Sequence, residues 1–247
     1  MVTSLGETLW SELRARSQAM DERTLKTLSP MLILVPHPDD ETLGCGGLIA
    51  TASDLGLRPR VAYLTDGAGS HPGSATWSPR RLAAVRKLEA LEALRVLGVS
   101  SGDVCFLRWP DGAPSARDDP RCQATIDELT GWCAGLRPRS LWATWAGEPH
   151  CDHVAAARLA DDLAQQLPSL PRRLDYLVWG WGRPEISPGR LVRSLVCPDT
   201  VARRRAALAC HRTQMTGLIS DTTDAFRIPP NLAALTDRPV EIYLEAA

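Results

Sequence analysis

The chain has 247 residues, 44% hydrophobic and 23% charged, the composition of an ordinary globular protein. Its 28 Lys and Arg nearly balance 29 Asp and Glu, so the basic face that nucleic acid requires is not expected. Seven Cys without paired C-x-x-C spacing suggest neither a disulfide framework nor a cysteine zinc site, and no stretch reaches the roughly 20 apolar residues that span a bilayer.

Leu5, Leu9, Trp10, Leu13 and Met20 recur at helical spacing and predict one helix over residues 4 to 27, packed outside a sheet and ended by Ser29-Pro30. The segment lacks the basic start and apolar core of a signal peptide, which agrees with a cytoplasmic location. Residues 1–30 read as a helical extension, and 31–247 as a single domain. Met31-Leu32-Ile33-Leu34-Val35 is a buried-strand pattern. A helix follows from Thr42 to Leu55, where Gly44, Gly46 and Gly47 suit a close approach to the sheet or a ligand. Val61 to Leu64 predicts the next strand, then a polar stretch from Ala68 to Ser78 in which His71 is either a lid residue or merely exposed. Leu82, Val85, Leu88, Leu91 and Leu94 mark a helix from Pro79 to Leu97, capped by Gly98.

Val104 to Leu107 is a strand with Cys105 as a small buried hydrophobe. A helix from Arg121 to Leu136, a strand from Leu141 to Trp145 and a helix from His153 to Leu167 follow. Leu174 to Trp181 and Leu191 to Val196 read as strands, with Cys197 buried beyond them. Thr200 to His211 reads as a helix whose Arg203-Arg204-Arg205 face is solvated, and Val240 to Leu244 as a closing strand. Strands alternating with helices predict an α/β fold, a mostly parallel doubly wound sheet with helices on both faces. The C-terminal part leaves room for antiparallel edge strands.

Two polar clusters fall at predicted strand ends, where open α/β sheets bind ligands. The first is Pro36-His37-Pro38-Asp39-Asp40-Glu41 and the second His150-Cys151-Asp152-His153. His37, Asp40 and His153 could grip one divalent metal, a set that suits zinc for hydrolysis and also non-haem iron. Asp39 is a spare acid able to take a proton from water. His150 could stabilise an oxyanion or protonate a departing amine, and Asp152 could fix an imidazole tautomer. The bland alternative makes Asp39, Asp40 and Asp152 helix caps. Eight Trp against two Phe is an unusual balance; most read as core, with Trp109 or Trp145 as a cleft wall. The chemistry needs neither Cys45 nor Cys151.

Pro36 to Glu41 after a first strand, with His150 to His153 later, resembles the PIG-L/LmbE-like family of zinc-dependent N-deacetylases. Leu64-Thr65-Asp66-Gly67, the Arg86 to Glu89 helix, Pro110-Asp111-Gly112 and His211-Arg212-Thr213-Gln214 extend the likeness over about residues 31 to 217. The resemblance implies a Rossmann-like three-layer sandwich. It implies removal of the N-acetyl group from an N-acetylglucosamine-type sugar conjugate, a small-molecule substrate, giving acetate and a free amine. His37, Asp40 and His153 become the Zn2+ ligands, with Fe2+ an open alternative, Asp39 the base and His150 the oxyanion or acid group. Arg86 and Asp111 match residues that hold sugar hydroxyls, although Arg86 could equally form a surface pair with Glu89. Some members carry a Tyr where Glu148 stands, and an anion there would repel an oxyanion. Alternative readings are an amidase for larger N-acyl or thiol-sugar conjugates and, from another class, a nucleotide-binding protein; a homo-oligomer stays open.

Overall fold

The structure, a computed structural model, describes residues 2–182, 186 and 189–245. Its centre is an eight-stranded sheet: β1 (Gln18–Ala19), β2 (Met31–Val35), β3 (Arg60–Thr65), β4 (Val104–Trp109), β5 (Ser140–Thr144), β6 (Arg172–Tyr176), β7 (Leu191–Val196) and β8 (Val240–Glu245). The spatial order is β1-β7-β8-β6-β5-β2-β3-β4, and only β8 runs antiparallel to its neighbours. The antiparallel strand therefore lies inside the sheet and not at its edge.

The helices are α1 (Val2–Ala15), α2 (Glu22–Leu28), α3 (Asp40–Asp54), α4 (Pro79–Leu97), α5 (Pro120–Cys133), α6 (Cys151–Gln166), α7 (Val201–Cys210), α8 (Arg212–Met215) and α9 (Pro230–Ala233). Side chains alternate across the strands, which is why both faces are buried. Met31, Ile33, Val35, Val61, Tyr63 and Trp142 join a core with α3, α4 and α7. Leu32, Leu34, Ala62, Leu64, Leu141 and Ala143 join a second core with α5 and α6. Leu9 and Leu13 of α1 cover the sheet farther along, against Val192, Ile242 and Leu244. The result is the expected three-layer sandwich.

Four local expectations are corrected. The single helix over 4–27 is two helices separated by β1, because Met20 N donates to Ser194 O (2.7 Å) to complete the β7 edge. Asp21 then restarts helix α2, its Oδ1 accepting from Thr24 N at 2.8 Å. The apolar run from Leu174 leaves the sheet after Tyr176, since the amides of residues 178–180 are bonded elsewhere. Arg204 is not solvated: it is buried against Glu241 and the Arg238 carbonyl, while Arg203 and Arg205 pair with Asp54 and Asp237. Cys197 is buried as expected, but Cys105 is only partly so.

Helix α3 positions the site. Adding a Cβ at Gly44 would place it 2.2 Å from Tyr176 Cδ2, so the glycine permits the close approach. At Cys45 the backbone leaves helical geometry (φ −148, ψ 23). Glu241 then accepts from Gly47 N (2.6 Å) and Leu48 N (2.8 Å), satisfying amides that the break leaves free.

Candidate metal centre and catalytic cleft

The chain reverses direction across the sheet between β2 and β5, and their adjacent ends bring the two polar clusters together. His37 follows β2, Asp39 and Asp40 open α3, and His150, Asp152 and His153 open α6. His37 Nδ1 lies 3.0 Å from Asp40 Oδ2, and His153 Nε2 lies 3.1 Å from the same oxygen. One nitrogen from each of His37, His150 and His153 falls within 4.8 Å of the others.

His153 Nε2 is buried and forms no hydrogen bond despite its closeness to Asp40. Two imidazole nitrogens facing one carboxylate oxygen form a donor set that fits a divalent ion. The outer nitrogens are held, as metal-binding imidazoles usually are. His37 Nε2 is 2.9 Å from Asp152 Oδ2 and 3.3 Å from Asp111 Oδ1. His153 Nδ1 is 3.2 Å from Glu148 Oε2.

Neither helix-cap alternative describes these acids. Asp39 makes no side-chain cap bond, and α6 is capped by His150, whose Nδ1 accepts from Asp152 N at 3.2 Å. Asp152 instead accepts from Gly112 N (2.8 Å) behind His37. Since His150 Nδ1 is an acceptor, its neutral ring carries the proton on Nε2. Burial, then the charges of His37 and His153, lower the His150 pKa and favour that neutral ring.

Asp39 adopts φ 134, a conformation that non-glycine residues seldom hold. Its amide donates to Glu41 Oε2 (2.9 Å), and Glu41 Oε1 lies 2.9 Å from His211 Nε2. Arg86 Nη2 donates to Asp39 Oδ2 (3.0 Å) and the Pro38 carbonyl (2.6 Å), and Nη1 to the Gly67 carbonyl (2.8 Å). Burial pushes the Asp39 carboxyl up to about 7, against the opposing charge of Arg86. Burial acts on Asp40 in the same sense, but His153 and His37 outweigh it and hold that carboxyl well below its ordinary range.

A family model described as PIG-L, GlcNAc-PI de-N-acetylase, matches residues 32–164, more than half of the chain. The chain belongs to the PIG-L family. A 1D-myo-inositol 2-acetamido-2-deoxy-alpha-D-glucopyranoside deacetylase of Nocardia farcinica is 28% identical over 259 residues, covering 82% of this chain and 85% of that protein. A probable N-acetyl-alpha-D-glucosaminyl L-malate deacetylase 2 of Bacillus cereus is 24% identical, covering 78% and 86%. Among solved structures, N,N'-diacetylchitobiose deacetylase from Pyrococcus horikoshii matches with TM-score 0.61 and 23% identity over 76% of this chain and 72% of that one. That last likeness shows the fold.

In this PIG-L chain a cleft of about 400 Å3 opens over His37, Asp39 and Asp40. Arg86, Asp111 and His150 line its polar side, and Leu43, Trp179, Phe226, Ile228 and Leu232 its apolar wall. Arg86 is 2% exposed and does not pair with Glu89, which accepts from Thr213 N and Oγ1 at 3.0 and 2.6 Å. Asp111 Oδ2 accepts from Gly69 N at 2.8 Å. The cleft Trp is Trp179. Trp109 is buried with Nε1 donating to Thr125 Oγ1 (2.9 Å), and Trp145 packs against the core cluster that includes Leu9, Leu13 and Leu244. His71 is no exposed lid residue: it is buried, its Nδ1 3.0 Å from Ser70 Oγ. Cys45 is buried and Cys151 exposed.

Glu148 does not line the cleft. Its carboxylate faces the interior behind His153. The Glu41–His211 pair supports Asp39 from behind, and no spacing in the sequence connects residues 170 apart.

Proposed function

We propose that this chain is a metal-dependent deacetylase that hydrolyses the N-acetyl group of an N-acetylglucosamine-type conjugate, with zinc as its ion. The observation carrying this reading is the convergence of His37 Nδ1 and His153 Nε2 on Asp40 Oδ2, at 3.0 and 3.1 Å, with the Asp39 carboxylate in the same cleft. His37, Asp40 and His153 would hold the ion. When bound, it supplies Lewis acidity to the amide carbonyl and lowers the pKa of water.

Asp39 takes the proton of the attacking water as the new C–O bond forms, and Arg86 keeps its carboxylate turned toward the cleft. His150 Nε2–H donates to the carbonyl oxygen as negative charge gathers there. The proton held by Asp39 then passes to the departing nitrogen, the C–N bond breaks, and acetate and a free amine leave. Asp111 stands at the polar side where a sugar hydroxyl could meet it.

The cleft volume and the apolar wall that starts at Leu43, one helical turn beyond Asp39 and Asp40, favour a second reading: an amidase for acyl groups larger than acetyl. One assay separates them. Purified protein with added Zn2+ is offered N-acetyl- and longer N-acyl-glucosamine glycosides, and free amine is measured. Release from the acetyl compounds supports the first reading, and release only from longer acyl groups the second. No release from either panel contradicts both.

A further inference from the structure

We infer that Glu148 is a positioning residue, which presents the His153 lone pair to the ion and locks the 178–180 turn onto the site. The inference rests on the metal reading proposed above. Glu148 is 3% exposed, and all four of its acceptor directions are used. Oε1 accepts from Val178 N (2.9 Å) and Gly180 N (2.8 Å). Oε2 accepts from Trp179 N at 2.8 Å and faces His153 Nδ1 at 3.2 Å.

Three consecutive amides converging on one carboxylate form an anion-binding nest. They fix the carboxylate so that its remaining lone pair can face only the imidazole. An Nδ1–H donated to Glu148 leaves Nε2 as the lone-pair nitrogen, and Nε2 is the atom beside Asp40. The surroundings are shaped for this carboxylate. A Cβ at Gly180 would lie 2.7 Å from Glu148 Oε1, so glycine is what lets the turn close around it. The same turn carries Trp179 into the cleft wall against Phe226, with ring centroids 5.7 Å apart. Glu148 thus ties the metal ligand and the apolar wall to one anchor.

The test is Zn2+ affinity, measured by competition with a chromophoric chelator for the wild type, Glu148→Gln and Gly180→Ala, alongside the thermal midpoint of each metal-free protein. Gln keeps the shape but turns an NH2 toward amide or imidazole donors. Gly180→Ala keeps the charge and displaces the carboxylate. Both variants should bind Zn2+ about 10- to 100-fold more weakly, the usual effect of losing an outer partner of a metal-binding imidazole. If both midpoints fall while affinity stays at the wild-type value, Glu148 is only structural and the inference is overturned. Should Glu148→Gln not fold, Gly180→Ala decides by the same criterion. A wild-type protein that binds no Zn2+ overturns the metal reading itself, and this inference with it.

Discussion

Asp39 shows how one residue can carry both strain and chemistry. Its φ of 134 costs free energy that Arg86 and Glu41 offset by bonding its side chain and its amide. Asn matches Asp in size and shape but cannot take up a proton as a base, so Asp39→Asn isolates the chemistry from the packing. That variant should keep its metal and lose about 10^2- to 10^4-fold in kcat, the range typical of general-base removal. His153→Ala should instead lose the ion, as metal analysis of the dialysed protein would reveal. Full activity in Asp39→Asn would contradict its assignment as the base. That His37, Asp39, Asp40 and His153 come together was legible because both polar clusters follow predicted strands, at whose ends open α/β sheets bind ligands. Glu148 was not, because its partners are amides of residues 178–180, which no local pattern connects to it.

Among elements, α3 links the core to the cleft, since Asp39 and Asp40 open it and Gly44 lets it lie against Tyr176. The Tyr176 ring cannot easily withdraw, because its hydroxyl donates to the Leu34 carbonyl at 2.9 Å in the buried core. Gly44→Ala should therefore destabilise the fold by about 1–3 kcal/mol in denaturant titration, with activity reduced as the helix start shifts. A change under about 0.5 kcal/mol would mean that the helix has room to spare. Most elements followed from hydrophobic spacing, and the Pro79–Leu97 helix has both expected ends. Two did not, for one reason: hydrogen bonds from distant chain override local pattern. The helix over 4–27 yields two residues to β7, and the run after Leu174 gives its amides to Glu148.

At the scale of the whole molecule, the Glu41–His211 pair joins α3 to the turn between α7 and α8 in a fully buried setting. Burial disfavours both charges, but it is outweighed: His211, Thr42 and the Asp39 amide together lower Glu41 below 4.5, and Glu41 with the Asp39 charge raises His211 above 6.5. The His211 contribution to stability is complete below pH 6.5 and is lost as pH rises through its raised folded pKa. The Glu41 contribution is complete above pH 4.5 and is lost as pH falls through its lowered one. The difference in thermal midpoint between wild type and His211→Gln should thus be largest between pH 4.5 and 6.5 and shrink on the alkaline side. A difference that grows as pH rises above 6.5 would contradict the pairing. The parallel sheet and its helices on both faces were legible from strand–helix alternation, whereas the internal place of β8 was not, because strand order leaves no local trace.

The ends of β2 and β5 bring His37, Asp40 and His153 together beside Asp39. Anomalous diffraction at the zinc edge, from crystals grown with Zn2+, would show whether they share one ion. One strong peak is expected, bounded by His37, Asp40 and His153, at about 2.0–2.2 Å from each ligand atom. No peak there, or an ion held instead by His150, Cys151 and Asp152, would contradict it.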